Sequence, residues 1–498
     1  MNVNPITRLD YPDLDVIRVE DTYYMVSTTM HFMPGCEILQ SFDLVHWEHV
    51  TYVYETLDHT DAQQLKSGQN IYGQGMWAAS LRYHEGRFYI CFVANDTRKT
   101  YLYTSEKIDG PWKKQLIEGF YHDGSLLFDE DGRNYIVYGN DEIWITELNE
   151  DLTAPKKDGL HRLLVSDHKN PELGYEGSHI QKINGYYYIF LVHSLRDRWM
   201  RTEACFYSDS LEGEFTGGDV LCDDRGYCGQ GVAQGGIVDT PDGKWYAMLF
   251  QDSGAVGRIP ILLPVTWKDH FPVFGQNGHV PEEIEVHSTR PGYIYQPLVG
   301  SDDFCNGLLP RWQFNHDPDP RYYHLDALQG TYTITTREVC TELTQAVNTL
   351  TQRMSYPSCA AEVTVDASAL KDGDVAGLCA LQGCYAAVGI TKHHGKYEVL
   401  MLDKKEDGIL DMTEGTVVES HQMDFRLEAD FCNMKDEARC YYRVNKGDWL
   451  PIGTVHKLYF KLDHFTGCRF GLFCYAAEET GGSACFRDFK YYDVDEIS

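Results

Sequence analysis

The sequence predicts an all-β protein, with a five-bladed β-propeller over residues 1–300 and a β-sandwich over residues 301–498. Three observations carry this expectation. One hairpin unit recurs five times, no convincing amphipathic helix interrupts residues 1–295, and short alternating strands separated by polar turns fill the remainder.

The recurring unit is a polar turn followed by an aromatic-rich strand. It reads Val-Glu-Asp-Thr-Tyr-Tyr-Met-Val (19–26), His-Glu-Gly-Arg-Phe-Tyr-Ile-Cys (84–91), Asp-Gly-Arg-Asn-Tyr-Ile-Val-Tyr (131–138), Asn-Gly-Tyr-Tyr-Tyr-Ile-Phe-Leu (184–191) and Asp-Gly-Lys-Trp-Tyr-Ala-Met-Leu (242–249). With Tyr24, Tyr89, Tyr135, Tyr188 and Tyr246 as markers, the spacings are 65, 46, 53 and 58 residues. That suits four-stranded propeller blades with variable loops. A sandwich has no reason to repeat a whole hairpin at such intervals. Segments Ile38 to Trp47, Leu102 to Trp112 and Cys205 to Phe215 are expected to be outer strands closing their blades.

A Pro- and Gly-bearing connection at residues 290–303 ends the repeat and sets the boundary near residue 300. Beyond it, strands are expected at Gly330–Thr335, Ala360–Val365, Tyr397–Leu402, Leu458–Leu462 and Arg469–Cys474. This is the pattern of one large all-β domain.

Composition narrows the partners. With 43 Lys+Arg against 75 Asp+Glu the net charge is −32, which repels nucleic acid and anionic membranes. Neutral sugars meet no such barrier, and 34 Tyr, 22 Phe and 9 Trp offer flat faces for sugar rings, although most aromatics in such a protein fill sheet cores. The N-terminus carries no charged-then-apolar run and no stretch approaches a membrane span, so a soluble, cytoplasmic chain is expected. Its 15 Cys lack the spacing of a zinc site and are expected to be reduced, mostly buried thiols. Oligomeric state is left open.

Inner strands of a propeller line a central channel. Aligning the five first strands on Asp15, Ser80, Ser125, Ser178 and Gly236 places Asp13, Ala78, Asp123, Glu176 and Gln234 at one shared position two residues earlier. Strand alternation would turn these side chains to one face. Three carboxylates brought together raise at least one pKa and supply a proton donor near neutrality. Trp77, beside the small Ala78, offers a wall for a sugar ring or fills the core. Arg258 either neutralises a carboxylate, holds a hydroxyl or lies on the surface.

These residues resemble glycoside hydrolase family 43, the β-xylosidases and α-L-arabinofuranosidases, over nearly the whole chain. Tyr-Pro-Asp-Leu-Asp-Val-Ile-Arg-Val (11–19), Asp-Gly-Ser-Leu-Leu-Phe (123–128) and Tyr-Glu-Gly-Ser-His (175–179) are similar to the family's three acidic segments. The resemblance implies Asp13 as general base, Asp123 as the residue tuning the acid's pKa, and Glu176 as general acid. Trp77, Phe32, Arg258 and Gln234 are the expected substrate contacts. Ser-Phe-Asp-Leu-Val-His-Trp (41–47) and Gly-Met-Trp-Ala-Ala-Ser-Leu (75–81) are further matches, and Trp312 to His316 with Asn348 to Arg353 resemble the appended concanavalin-like sandwich.

Two departures stand out. Trp77-Ala78-Ala79-Ser80 replaces a frequent Trp-Ala-Pro-Asp, and Gln234 replaces a frequent channel His near a bound cation. An amide oxygen can ligate calcium, so a structural calcium in the channel is an expectation, and the chemistry itself is expected to require no cofactor.

The expected activity is exo-acting, inverting release of terminal α-L-arabinofuranosyl residues from arabinoxylan-derived oligosaccharides. β-D-xylosidase or dual activity is the alternative, and a non-catalytic carbohydrate-binding protein is the alternative of another class. The resemblance implies inversion. The residues alone leave retention open until the carboxyl separation is known, about 6.5–9.5 Å for inversion.

Overall fold

In the computed structural model, which describes residues 3–493, five four-stranded antiparallel sheets precede two large sandwich sheets. Residues 1–2 and 494–498, the outer ends of the two predicted domains, lie outside the described residues. The inner strands of the blades are Asp15–Val19, Met76–His84, Ser125–Phe128, Glu176–Ile183 and Val232–Asp239. Each pairs with the aromatic strand that carries its marker tyrosine.

The turns explain the repeat. Asn184-Gly185 and Glu85-Gly86 both hold two successive residues at positive φ, the backbone that two-residue hairpins favour. In the third and fifth blades Gly132 and Gly243 close slightly longer turns by donating to Asp129 O and Thr240 O. The segments ending at Trp47, Trp112 and Phe215 are not the closing strands expected: they cover only the second halves of the third strands (Gly35–Ser41, Lys99–Ser105, Arg201–Ser208) and the turn after them. The outermost strands come next in the chain, at Glu48–Tyr54, Lys113–Ile117 and Thr216–Leu221.

Five apolar clusters fill the five seams between blades. The ring closes where the N-terminal segment lies along Arg258–Lys268: Ile6 and Tyr11 donate their N–H groups to Pro260 O and Arg258 O, at 3.0 and 2.9 Å.

In the sandwich, a seven-stranded sheet faces a nine-stranded one across a single large core. The edge of the nine-stranded sheet is a two-residue strand from the propeller, Phe32–Met33, paired with Gln313–Asn315. The domain interface is polar as well as apolar. Buried Arg353 holds Glu37 at 2.7 Å and lies 4.3 Å over the Tyr11 ring. The expected strand at Leu458–Leu462 does not form. The sheet strand there is Leu450–Lys457, after which the chain leaves the sheet and runs to the mouth of the propeller channel.

All 15 cysteines are free thiols, most of them buried. No helix among the described residues is long and apolar enough to cross a membrane.

Candidate active site

The site is made by one backbone device used five times. Each inner strand begins with a β-bulge, in which one extra residue is inserted so that two residues stand where the partner strand has one. In the second, fourth and fifth blades the ladder steps from Trp77/Val93 to Ser80/Cys91, from Glu176/Val192 to His179/Phe190, and from Ala233/Phe250 to Gly236/Met248. The first and third blades match, with Thr28 N–H on Pro12 O and Gly139 N–H on His122 O ahead of ladders that start at Asp15 and Ser125. The first bulge residue is left-handed throughout: Asp13, Ala78, Asp123, Gly177 and Gln234, at φ of 51°, 38°, 48°, 66° and 64°.

This corrects the alignment read from the sequence. His179, not Ser178, is the ladder equivalent of Asp15, so Gly177 shares the position of Asp13 and Asp123, while Glu176 sits one residue ahead with Trp77 and His122. A bulge, not simple strand alternation, aims these side chains at the channel, two in succession in the second and third blades (Trp77 and Ala78, His122 and Asp123) and one in each of the others. Gly177 is needed on a second ground, since a Cβ there would meet Gln234 Cγ at 2.7 Å.

The channel mouth holds a cavity of about 160 Å³. Asp13, Trp77, Asp123, Glu176, Gln234 and Arg258 all line it, together with His122, Asn140, Leu173, Arg201, Leu462 and Phe465. Asp13 is buried and held on three sides, by Arg258 Nη1 at 2.6 Å, Thr28 Oγ1 at 2.6 Å and Gln234 Nε2 at 3.2 Å. Arg258 is buried too, bridging Asp13 to Asp252. Glu176 accepts from Asn140 Nδ2 at 2.9 Å, and Asp123 accepts the Gly177 N–H at 2.8 Å. Across the cavity Phe465 covers the Arg258 guanidinium at 3.8 Å and packs edge-on against Trp77 at 5.1 Å.

Phe32 is not part of this site. The chain leaves the first blade after Thr29 to pair with the sandwich, which buries Phe32 beneath the Arg469 guanidinium, 3.5 Å from its ring centre. Several lining residues escaped the sequence reading. Arg201 repeats the place of Arg258, each opening the third strand of its blade and each binding Asp252. That repeat was a usable signal. His122 was visible beside Asp123. Leu462 and Phe465 belong to the other domain and to no repeat.

Charge in the site is nearly balanced by design of the cluster. Burial pushes the Asp123 carboxyl up to about 6, with Glu176 and Asp13 adding to the rise and His122 opposing it. Burial also works to raise Glu176, but His122, Arg201 and Arg258 outweigh it and hold that carboxyl below its ordinary value. His122, whose Nε2 lies 3.6 Å from both Asp123 Oδ2 and Glu176 Oε2, is lifted to about 9, chiefly by the Asp123 charge. Asp123 is thus the carboxyl that rises, by burial first and by its neighbours' charge second, whereas Glu176 is lowered, and the group favoured to carry the proton is the His122 imidazole.

Residues 3–272 match the family described as Glycosyl hydrolases family 43, and residues 301–492 match the Beta xylosidase C-terminal Concanavalin A-like domain. The chain belongs to glycosyl hydrolases family 43. A bifunctional GH43-CE protein from Bacteroides eggerthii is 42% identical with a TM-score of 0.92, over 99% of this chain and 64% of that one, so this chain spans about two thirds of its length. A family 43 enzyme engineered to show both endo-xylanase and exo-arabinofuranosidase activity is 28% identical with a TM-score of 0.86, over 99% of each chain. The beta-xylosidase of Formosa agariphila is 27% identical over 99% of this chain and 89% of its own length.

The channel below the family 43 site is a poor fit for calcium. Its cavity of about 10 Å³ is lined by Asp13, Asp15 and Asp123 together with Ser178 and Gln234; only Ser178 Oγ and Gln234 Oε1 are buried without a partner, while Asp13 is tied to Arg258 and Thr28, and Asp123 to the Gly177 N–H. The nearby Asp15 carboxylate is already engaged by Arg82, His179 and the Leu81 N–H. Calcium takes six to eight oxygens, so a single water suits these partners better, and no step below uses a metal.

Proposed function

We propose that this family 43 protein is an exo-acting, inverting glycosidase that removes one terminal pentosyl residue from xylan-derived oligosaccharides. The observation that carries this reading is the small cavity that holds Asp13, Asp123 and Glu176 together under Phe465, with room for one sugar ring. A roofed pocket of that size admits a chain end and not a chain middle.

In this reading Glu176 protonates the glycosidic oxygen while Asp13 takes a proton from a water on the opposite ring face, and that water adds to the anomeric carbon as the bond to the leaving group breaks. Arg258, Gln234 and Thr28 fix the Asp13 carboxylate as a base. Asp123 orients the strand start that carries Glu176 by accepting the Gly177 N–H.

Two sugars fit the proposal. β-D-xyloside is favoured by the Formosa agariphila relative, a beta-xylosidase, and α-L-arabinofuranoside by the exo-arabinofuranosidase activity of the engineered relative, each matching nearly the whole chain. Release of 4-nitrophenol from the two aryl glycosides, by wild type and Glu176→Ala, tests the reading, and NMR of the first-formed sugar reads the anomer. Turnover that disappears in the variant supports it. Undiminished turnover in a folded Glu176→Ala protein, or retention of configuration, sinks it.

A further inference from the structure

The acid proposed above faces an energetic problem. Glu176 is surrounded by cations: Arg201 and Arg258 act on it through charge, and His122 lies 3.6 Å away. A general acid must carry a proton at the moment of bond cleavage, yet this setting favours its carboxylate. The proton needs another place to wait.

The geometry offers one. His122 is the first-bulge neighbour of Asp123 and occupies the same blade position as Glu176 and Trp77, so its ring is delivered into the cavity by the backbone itself. Nε2 is buried without a hydrogen-bond partner and stands equidistant from Asp123 Oδ2 and Glu176 Oε2, at 3.6 Å from each. That is an ion-pair distance, a few tenths of an ångström beyond a hydrogen bond. The largest charge effects on the ring come from carboxylates, Asp123 first, then Glu176 and Asp13, and they lift it to about 9 against burial; Arg201 and Arg258 share the cavity. Asn140 donates to Glu176 Oε2 and so fixes the rotamer that faces His122.

We propose that His122 is a positioning residue for the acid: its imidazolium keeps the proton that Glu176 delivers to the leaving group and recharges Glu176 after each turnover. This rests on the glycosidase reading of the same site. The steps balance. The Nε2 proton passes to the Glu176 carboxylate, leaving a neutral imidazole and a carboxylic acid, and the acid then protonates the departing oxygen. Asp13 meanwhile gains the proton lost by water. Solvent returns one proton to His122 and removes one from Asp13, which restores the starting state.

A consequence separates this from a structural role. One proton is shared by His122, Glu176 and Asp123, and activity needs the form with that proton on Glu176. Its loss from the cluster as a whole sets the alkaline limb of the pH profile, so His122 extends activity to higher pH although it lowers the fraction with Glu176 protonated.

The test is the pH dependence of kcat/KM for wild type and His122→Gln on an unactivated xylo- or arabinoxylo-oligosaccharide. The alkaline limb is expected to move down by one pH unit or more in His122→Gln, so that activity at pH 8.5 relative to pH 6 falls about tenfold further than in wild type. Activity near pH 6 shows that the variant is folded. Normalised profiles that superimpose would overturn the proposal.

Histidine NMR titration provides a readout that needs no turnover, with the His122 signal assigned by its absence in His122→Gln. The ring should titrate well above the ordinary histidine range and fall back toward it in Glu176→Gln. A ring that titrates normally in wild type defeats the inference even if the protein cleaves glycosides. Wild type that cleaves neither sugar while the ring titrates high defeats the functional reading instead.

Discussion

The floor of the pocket comes from the bulged starts of the inner strands together with Arg201 and Arg258, which open two third strands, and its roof from a single loop that repeats nothing. Floor residues are ionisable, buried and tied to one another: Asp13 to Arg258, Arg258 to Asp252, Asp252 to Arg201. The roof offers only apolar side chains, Leu462 and Phe465, carried from the sandwich. A floor of this kind does chemistry, since its charges shift one another's proton affinities. A roof of this kind excludes water and sets how much of a substrate fits. The division predicts that floor changes act on kcat and roof changes on KM.

The largest effect belongs to the floor. Asp13→Asn keeps the shape of the side chain and removes the base, so kcat on an oligosaccharide should fall about 10²–10⁴-fold in protein that still folds, since Arg258 keeps Asp252 as a partner. Because Arg258 then loses a buried anion, a large fall in Tm would show that Asp13 serves the fold more than the reaction. Phe465→Ala comes next. It removes the face over Arg258 and opens the cavity, and kcat/KM should drop about 10- to 100-fold through KM, consistent with losing about 1–3 kcal/mol of packing and cation–π contact. A drop confined to kcat would break the division between floor and roof.

This division also explains what the sequence disclosed. Repetition made the five blades legible, and with them Asp13, Asp123 and Glu176. Gln234 and Trp77 came with the same repeat. What periodicity could not supply was the bulge, because a positive φ at Asp13 or Gln234 leaves no compositional mark of the kind glycine leaves at Gly177. Hence the repeat alignment sets Glu176 one residue out of register, although the residue lines the cavity. Phe32 sat in a family-like motif, but its place depends on a contact with Gln313–Asn315 nearly 300 residues away, which no local pattern encodes. The roof suffered from the same blindness, and Leu458–Leu462 read as a strand because its apolar spacing fits one.

A smaller effect lies beneath the roof, where His31, His316 and His464 meet at the domain interface with ring centres 4.8 and 5.5 Å from His31. Burial comes first in holding all three below the ordinary histidine value, His316 at about 3 and His464 at about 4, and neighbouring imidazoles add to it for His31 and His316. A folded pKa below the unfolded one means that the unfolded chain binds more protons between about pH 4 and 6.5. The stability these groups contribute is therefore present above about pH 6.5 and lost as pH falls. Each removes about 1.4 kcal/mol per pH unit within that window. His316→Gln should lose about 2 kcal/mol less than wild type between pH 7 and pH 5, measured by denaturant melts at the two pH values. Equal losses would mean that the interface opens before the histidines charge.

The smallest expected effect is the sharpest probe of the roof. Leu462 is 47% exposed and Phe465 only 3%, although they lie three residues apart in one loop. Phe465 is clamped between Trp77 and Arg258, whereas Leu462 touches the cavity from its rim. Truncating a half-exposed leucine forfeits about half of its burial energy, about 1 kcal/mol, so Leu462→Ala should raise KM about two- to fivefold and leave kcat unchanged. The ratio between the two roof variants then reports how the loop behaves. If each residue acts through its own contacts, Phe465→Ala costs at least several times more than Leu462→Ala. If the two cost the same, the loop responds as one body anchored at Gly467, whose N–H is held at 2.7 Å by the Asp10 carboxylate that also accepts the Arg258 N–H. Asp10 would then be the link that sets the roof's height over the floor, and the KM effect of either roof variant should be reproduced by Asp10→Asn.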